Sequence, residues 1–468
     1  MTDKYETLLN NTFLISAGTL GSKLITFFMV RFYTDVLTPS DYGTADIIVQ
    51  TANLLLPLVS MGMVEAVFRF ALNDPLGRKN VFSAGAAVIS AGALLLAGVC
   101  CILFSLSVFR DTVWLIALYT IASCYHSLCA QFVRAQGKTA LFAAQGLLNT
   151  LLVVGLNILF LAVFQWGITG YVMAVVLADL LCSLFLLFKE RLWRYVTIHP
   201  EKEAFRQMFR YGVPLIPTTV FWWITSVSDR YMITGFLGSD ANGLYAVACK
   251  IPTMLTLVAG IFLEAWYFSA IRETGESKST QIHFYSRVWS TFMGVMFLAG
   301  SLVAAFSKLE ISLLAADEYY RAWQYIPLLS AAMVFSSFVT FMGSIYAAEK
   351  RSFLSFWTAM AGAVINVALN LALISPLGIQ GAAAATLVSY MTVFLLRAKN
   401  TRRIVPFRLY KKRLAAGCLV FLVQILFLLW EAPGWQIAQG VCPAVLLMVN
   451  GRPLITAAGK MKAYLPKK

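Results

Sequence analysis

Four basic side chains fall inside or at the ends of long apolar runs: Lys23, Arg31, Arg230 and Lys250. A Lys or Arg at the centre of a membrane helix costs about 2.5–3.5 kcal/mol on insertion scales, so each needs a use or a partner. The use that fits these residue types is anion binding. Arg offers a bidentate fork to a phosphate-like group and Lys a point charge. The alternative is local pairing or snorkelling. Asp35 stands one helical turn from Arg31, and Asp229 adjoins Arg230, although adjacent residues on a helix do not face each other.

Carboxylates form the second set. Glu65 and Glu264 sit near the inner ends of their apolar runs, where they would gate a cavity with Arg69, Arg134 or Lys138, or cap and pair at the interface. Asp179 is alone in the middle of one run and Asp46 lies near the outer end of another. An isolated carboxylate at membrane depth is a candidate proton or Na⁺ site, or a hydrogen-bond acceptor inside the bundle. Asn149, Asn157, Asn366 and Asn370 are expected chiefly to join helices. Pro214 and Pro217 lie early in a run and should bend it, as a hinge or as a fixed kink.

These residues need elements to hold them, and composition says which. Of 468 residues, 59% are hydrophobic and 13% charged, about half the charge of an ordinary soluble domain. Apolar runs of about 20 residues, the length that crosses a bilayer, can be placed roughly fourteen times between residues 11 and 450. The fold expected is therefore all-α and integral to a membrane. The net charge of +15 resides in short loops between runs, which argues against nucleic acid. The eight Cys form no C-x-x-C pair and the three His share no ligand spacing, so neither metal nor other cofactor is expected. No cleavable signal peptide is expected, and no P-loop motif is present for direct ATP use. So little of the chain lies outside the runs that an enzyme domain is not expected, and no catalytic residue is assigned.

Orientation follows from the loops. With both termini cytoplasmic, roughly 30 of the 37 Lys and Arg fall on the inner side, as the positive-inside rule requires. The chain also repeats. Leu37–Gly43 is echoed by Leu237–Gly243, Glu65-Ala66 by Glu264-Ala265, Asn157 by Asn370, and Gly167-Ile168-Thr169-Gly170 by Gly378-Ile379-Gln380-Gly381. Six spans separate each pair, so the halves share one orientation, related by an axis along the membrane normal. The organisation expected is a first lobe over 1–200, a second over 201–410, and two accessory helices with a basic tail over 411–468. Such repeats are the architecture of transporters that work by alternating access.

Several stretches resemble a known family. Phe32 to Gly43 is similar to the first outer turn of bacterial polysaccharide-repeat-unit (Wzx-type) flippases, of the multidrug/oligosaccharidyl-lipid/polysaccharide exporter superfamily. Tyr211-Gly212-Val213-Pro214-Leu215-Ile216-Pro217, then Ser228-Asp229-Arg230-Tyr231 and Gly243 to Pro252, resemble the family's seventh and eighth helices. Pro376 to Ala383 resembles its later repeat turn. The resemblance covers most of the chain. It implies two six-helix lobes plus two helices, and export of undecaprenyl-diphosphate-linked oligosaccharide across the bacterial plasma membrane. Under it, Lys23, Arg31, Arg230 and Lys250 would receive the diphosphate, with the first and seventh helices lining the cleft. Membrane lipids are then partners, and a polysaccharide polymerase and glycosyltransferases are candidates. Coupling to Na⁺, to H⁺ or to the membrane potential stays open. So do two other cargoes, a cationic drug or a peptidoglycan or sporulation precursor lipid; the mid-span charges, mainly basic, favour an anion.

Overall fold

The computed structural model describes residues 2–106, 112–273, 278–349 and 351–464; within these, the side chains of 2–17, 19, 264–273, 278, 352, 452 and 454–464 lie outside the description. The described residues form helices and turns, with no strand among them. Among the described residues, ten helices are long and apolar enough to cross a membrane, or eleven if one bent pair is a single span. The long helices α1 (Thr2–Val36), α9 (Ile216–Leu237) and α17 (Trp435–Tyr464) coincide with three further runs expected to cross. Even the shortest of the three, at 22 residues, reaches about 33 Å at 1.5 Å per residue, enough for the hydrocarbon core. The chain divides into two compact units, Met1–Trp223 and Ile224–Lys468.

The first unit holds α1, α2 (Pro39–Val59), α3 (Met63–Asn73), α4 (Arg78–Ser105), α5 (Val113–Ala135), α6 (Thr139–Asn157), α7 (Gly167–Lys189), α8 (Lys202–Gly212) and the first part of α9. Thr38 starts α2 for a local reason: its hydroxyl accepts from the Asp41 N–H at 3.2 Å, and Pro39 supplies a first residue with no donor to satisfy. The second apolar run forms the bent pair, with an angle of 52° between α2 and α3. Met61 and Gly62 both have positive φ at the break. There Gly62 meets Gly212 so closely that a Cβ on either would lie 2.5–2.6 Å from the other's carbonyl oxygen. Helix α6 continues as a π-helical turn, Ile158–Val163. Helix α5 is central, packing against α2, α3, α4 and α7, and its buried Leu128, Phe132 and Val133 join Val67 and Phe82 in the core.

The second unit holds the rest of α9, α10 (Ser239–Lys250), α11 (Met254–Glu273), α12 (Lys278–Leu314), α13 (Ile326–Ala348), α14 (Ser352–Leu377), α15 (Ile379–Ile404), α16 (Lys411–Leu429) and α17. Its core is aromatic. Trp289 of α12 stacks on Phe394 of α15 with centroids 5.8 Å apart and meets Phe338 and Phe341 of α13 edge-on or tilted, pairs worth roughly 0.5–1.5 kcal/mol beyond area burial. Helices α16 and α17 are fastened to α12 by buried polar groups. The Gln424 amide donates to the Ser301 carbonyl at 2.9 Å and to Gln439 at 3.0 Å, and Arg413 donates to Ser290 at 2.7 Å and to Asn450 at 2.6 Å.

The two units tie down the segment after their sixth expected span in the same way. In the first, the Ser83 hydroxyl on α4 accepts from the Thr197 N–H at 2.7 Å; in the second, the Ser286 hydroxyl on α12 accepts from the Arg408 N–H at 2.8 Å. A serine on the third span of each set of six thus holds the segment after the sixth.

Candidate functional site

In the first unit, Lys23 projects from α1 as an exposed side chain, and no described carboxylate lies within 4 Å of its ammonium. Arg31 is engaged: its Nε donates to Asp35 at 3.1 Å, one turn on, with both side chains nearly half exposed. Asp46 is buried on α2 and accepts a long hydrogen bond from the Gln50 amide at 3.4 Å. Glu65 is exposed on the first turn of α3, just past the 52° break. Pro214 sits in the middle of a 3₁₀ turn, Val213–Leu215, that separates α8 from α9, and Pro217 is the second residue of α9. The proline that lacks a donor at 214 and the close Gly62–Gly212 approach explain why the seventh span is interrupted there. Trp223, further along α9, donates its indole N–H to the Gln50 carbonyl at 3.1 Å.

Asp179 does not stand alone. Midway along α7, its Oδ2 accepts from the Ser123 hydroxyl at 2.5 Å and its Oδ1 from the Asn149 amide at 2.8 Å. His126 Nδ1 lies 3.1 Å from the same Oδ1, and its Nε2 lies 2.8 Å from Gln145 Oε1. Three helices, α5, α6 and α7, therefore converge on one carboxylate at mid-membrane depth. The sequence reading found Asp179 and Asn149 but passed over His126, because its partners lie 19 and 53 residues away in sequence and no periodic spacing marks them.

In the second unit, Arg230 and Lys250 are half-buried on α9 and α10. No described carboxylate lies within 4 Å of the Lys250 ammonium. The Glu264 side chain lies outside the described residues. Beside Arg230, Asp229 is 1% exposed, so this carboxylate, not noticed as more than a sequence neighbour, is the more deeply held group. It accepts from the Tyr245 hydroxyl, from the Thr386 hydroxyl at 3.2 Å and from the Arg230 N–H at 2.9 Å. The chain of bonds continues through Asn366, whose amide faces Thr386 at 3.4 Å and whose Oδ1 accepts from Ser228 and from Asn370, each at 2.9 Å. Asn370 Oδ1 is buried without a hydrogen-bond partner among the described residues. Helices α9, α10, α14 and α15 meet here through oxygen-bearing side chains. A further cation, Arg397 of α15, was also missed. It is 3% exposed and donates to Thr358 at 3.0 Å, to the Val339 carbonyl at 3.0 Å and to Ser355 at 3.4 Å, bolting α13, α14 and α15 together.

Comparison with known proteins adds the following. A family model described as polysaccharide biosynthesis protein matches residues 8–268. A 191-residue stretch is 23% identical to an uncharacterized membrane protein of Methanocaldococcus jannaschii; it covers 40% of this chain and 44% of that protein, so the chain matches under half of that relative's length. Among solved structures, a lipid II flippase, MurJ, in an inward closed conformation superposes with a TM-score of 0.71 at 13% identity, over 94% of this chain and 98% of that one. An inward-facing multidrug resistance MATE transporter of the MOP superfamily gives 0.65 at 14% identity, over 82% and 95%. A Vibrio cholerae MATE transporter gives 0.56 at 14%, over 85% and 97%. These likenesses establish the fold as the two-lobe, multi-pass membrane fold.

Proposed function

The chain belongs to the polysaccharide biosynthesis protein family, and from that premise we propose that it is a flippase exporting undecaprenyl-diphosphate-linked oligosaccharide repeat units across the bacterial plasma membrane by alternating access, with both termini cytoplasmic. The observation that carries the reading is that family match, covering the first unit from residue 8 onward and reaching into the second. The intramembrane cations support an anionic cargo. Lys23 and Lys250 carry a charge into apolar helices with no described carboxylate to neutralise it, a costly placement that a travelling diphosphate would use. Arg230 stands beside them in this role, and Arg31, already held by Asp35, contributes least. Membrane lipids solvate the helices, and enzymes that assemble and polymerise the repeat unit are the natural partners. Glu65 and Glu264 are assigned to gating at the inner ends of their spans, and Pro214 and Pro217 to the hinge.

For coupling, Na⁺, H⁺ and the membrane potential are the candidate drivers. Outward movement of an anion from a negative interior also gains about 2.3 kcal/mol per charge per 100 mV, so the potential itself can bias export. The fold of the multidrug MATE transporters favours a second reading, cation-coupled drug export. The test is to delete the gene, follow surface polysaccharide and drug sensitivity, and complement with the intact chain. Loss of polymer with unchanged drug sensitivity supports the flippase; the reverse supports the exporter.

A further inference from the structure

The Asp179 cluster gathers hydrogen-bond donors around one carboxylate, and the placement of its acceptors bears on where a proton would sit. Both ring nitrogens of His126 face acceptors: Nδ1 faces Asp179 Oδ1 at 3.1 Å and Nε2 faces Gln145 Oε1 at 2.8 Å. A neutral imidazole has one N–H and one lone pair. If Nε2 donates to Gln145, a neutral ring turns its Nδ1 lone pair on a carboxylate oxygen, two acceptors in contact with nothing between them. Inside apolar surroundings that contact is repulsive, and burying the unneutralised carboxylate is costly. One added proton removes both costs, giving an imidazolium and a carboxylate that are neutral as a pair.

The rest of the cluster fits the same reading. Ser123 and Asn149 also present donors to Asp179, one to each oxygen, so the carboxylate is ringed by N–H and O–H groups. A Na⁺ ion needs oxygen lone pairs converging on one point. Here the side chains aim hydrogens at the place where such an ion would sit. Tyr119 on α5 and Cys182 on α7 interact electrostatically with Asp179, and α3, also packed on α5, carries Glu65, within electrostatic range of Cys124. Helix α6 presents Gln145 and Asn149 to the pair. Helix α2, packed on α5 and α7, carries Asp46, whose described bond is to Gln50, and α1, packed on α6, carries the exposed Lys23.

We infer that His126 and Asp179 form a proton-binding site in the first unit, holding one shared proton in the conformation described. Loss of that proton would leave a buried net negative charge, so release requires the surroundings to open to water. That is the property a proton-coupled conformational cycle needs. The binding site is a feature of the resting protein. Only its use in coupling rests on the transport function proposed above.

The experiment reads the ring directly. The full chain, labelled with ¹⁵N-histidine in lipid nanodiscs, is followed by NMR through the pH range in which histidines ordinarily titrate, with His126→Gln used to assign the signal among the three histidines. The expected result is an imidazolium signature for His126 that persists at neutral pH and that disappears in Asp179→Asn. The Ser123→Ala chain, which keeps the pair, serves where Asp179→Asn does not fold: with one donor to the lone carboxylate gone, it retains the imidazolium and loses it at higher pH than the parent. Exchanging K⁺ for Na⁺ leaves the signals in place. A neutral ring in the unmodified protein at neutral pH, with Nε2 accepting from a turned Gln145 amide, overturns the inference. A shift on adding Na⁺ but not K⁺ overturns it in favour of a metal ion. Neither readout needs cargo, so failure of the flippase reading would leave this result standing and measurable by itself.

Discussion

Gly62 and Gly212 meet backbone to backbone: each lies where the other's Cβ would have to be, 2.5–2.6 Å from a carbonyl oxygen. The break in the second span and the start of the interrupted seventh span are therefore one joint within the first unit. Gly62 has a φ of +69°, so it answers to two constraints, while Gly212 has an ordinary φ of −73° and answers only to space. Gly212→Ala isolates the packing. It should lower the melting temperature of the purified protein by several degrees and reduce export. Gly62→Ala should do more, since left-handed backbone adds about 1–2 kcal/mol. Equal melting of Gly212→Ala and the parent protein would show that the joint is loose.

The cations separate into engaged and unengaged groups. Arg31→Ala removes an exposed i, i+4 pair worth about 0.3–0.5 kcal/mol and should leave surface polysaccharide close to normal. Lys23→Ala and Lys250→Ala, lacking any described carboxylate partner, should each cut export by about tenfold, the size of a lost charged hydrogen bond of about 1.5 kcal/mol. Immunoblotting for chain level and polymer quantitation together separate lost function from lost protein. Full export in both Lys variants would remove them from the cargo path.

The membrane fold was legible because its signal is local. Apolar run length, inner-loop charge and the paired motifs at an offset of about 200 all survive without knowledge of any contact. The bend after Val59 was not legible: Pro57 and Gly62 are visible in the sequence, but the Gly212 contact that fixes the bend lies 150 residues on. The site was half legible for the same reason. Asp179 stands out as a lone charge, and Arg230 likewise. Their companions His126 and Asp229 do not, since what makes them notable is burial and partners on other helices. Asp229 looked like a local neighbour of Arg230, whereas the structure gives its carboxylate to Tyr245 and Thr386.

That assignment makes Tyr245→Phe informative. The ring stays, and Asp229 loses one donor in a fully buried position, at a cost of about 1–3 kcal/mol. The melting temperature should fall, and Asp229→Asn added to Tyr245→Phe should recover part of the loss, because the burial of a charge is removed along with its donor. Additive losses in the double variant would indicate that the two side chains are energetically independent.

Arg397 acts as a bolt between α13, α14 and α15, and Gly343 leaves it room: a Cβ at 343 would lie 2.5 Å from Arg397 Nη1. Arg397→Lys keeps the charge but cannot reproduce three separate donations, so it should destabilise by about 2 kcal/mol or more, read by thermal unfolding in detergent. Gly343→Ala should destabilise by displacing the guanidinium. A Lys variant as stable as the parent would mean that charge alone, without the fork, holds these helices.

The claim on which the functional account depends is that the cargo is an anionic lipid-linked oligosaccharide. Purified protein in proteoliposomes, loaded with fluorescent undecaprenyl-diphosphate oligosaccharide and clamped at set membrane potentials, measures it directly. The account predicts protein-dependent transfer between leaflets, faster when the departure side is negative and about tenfold slower in Lys23→Ala. Transfer no faster than in protein-free vesicles, together with uptake of a cationic dye, would contradict it.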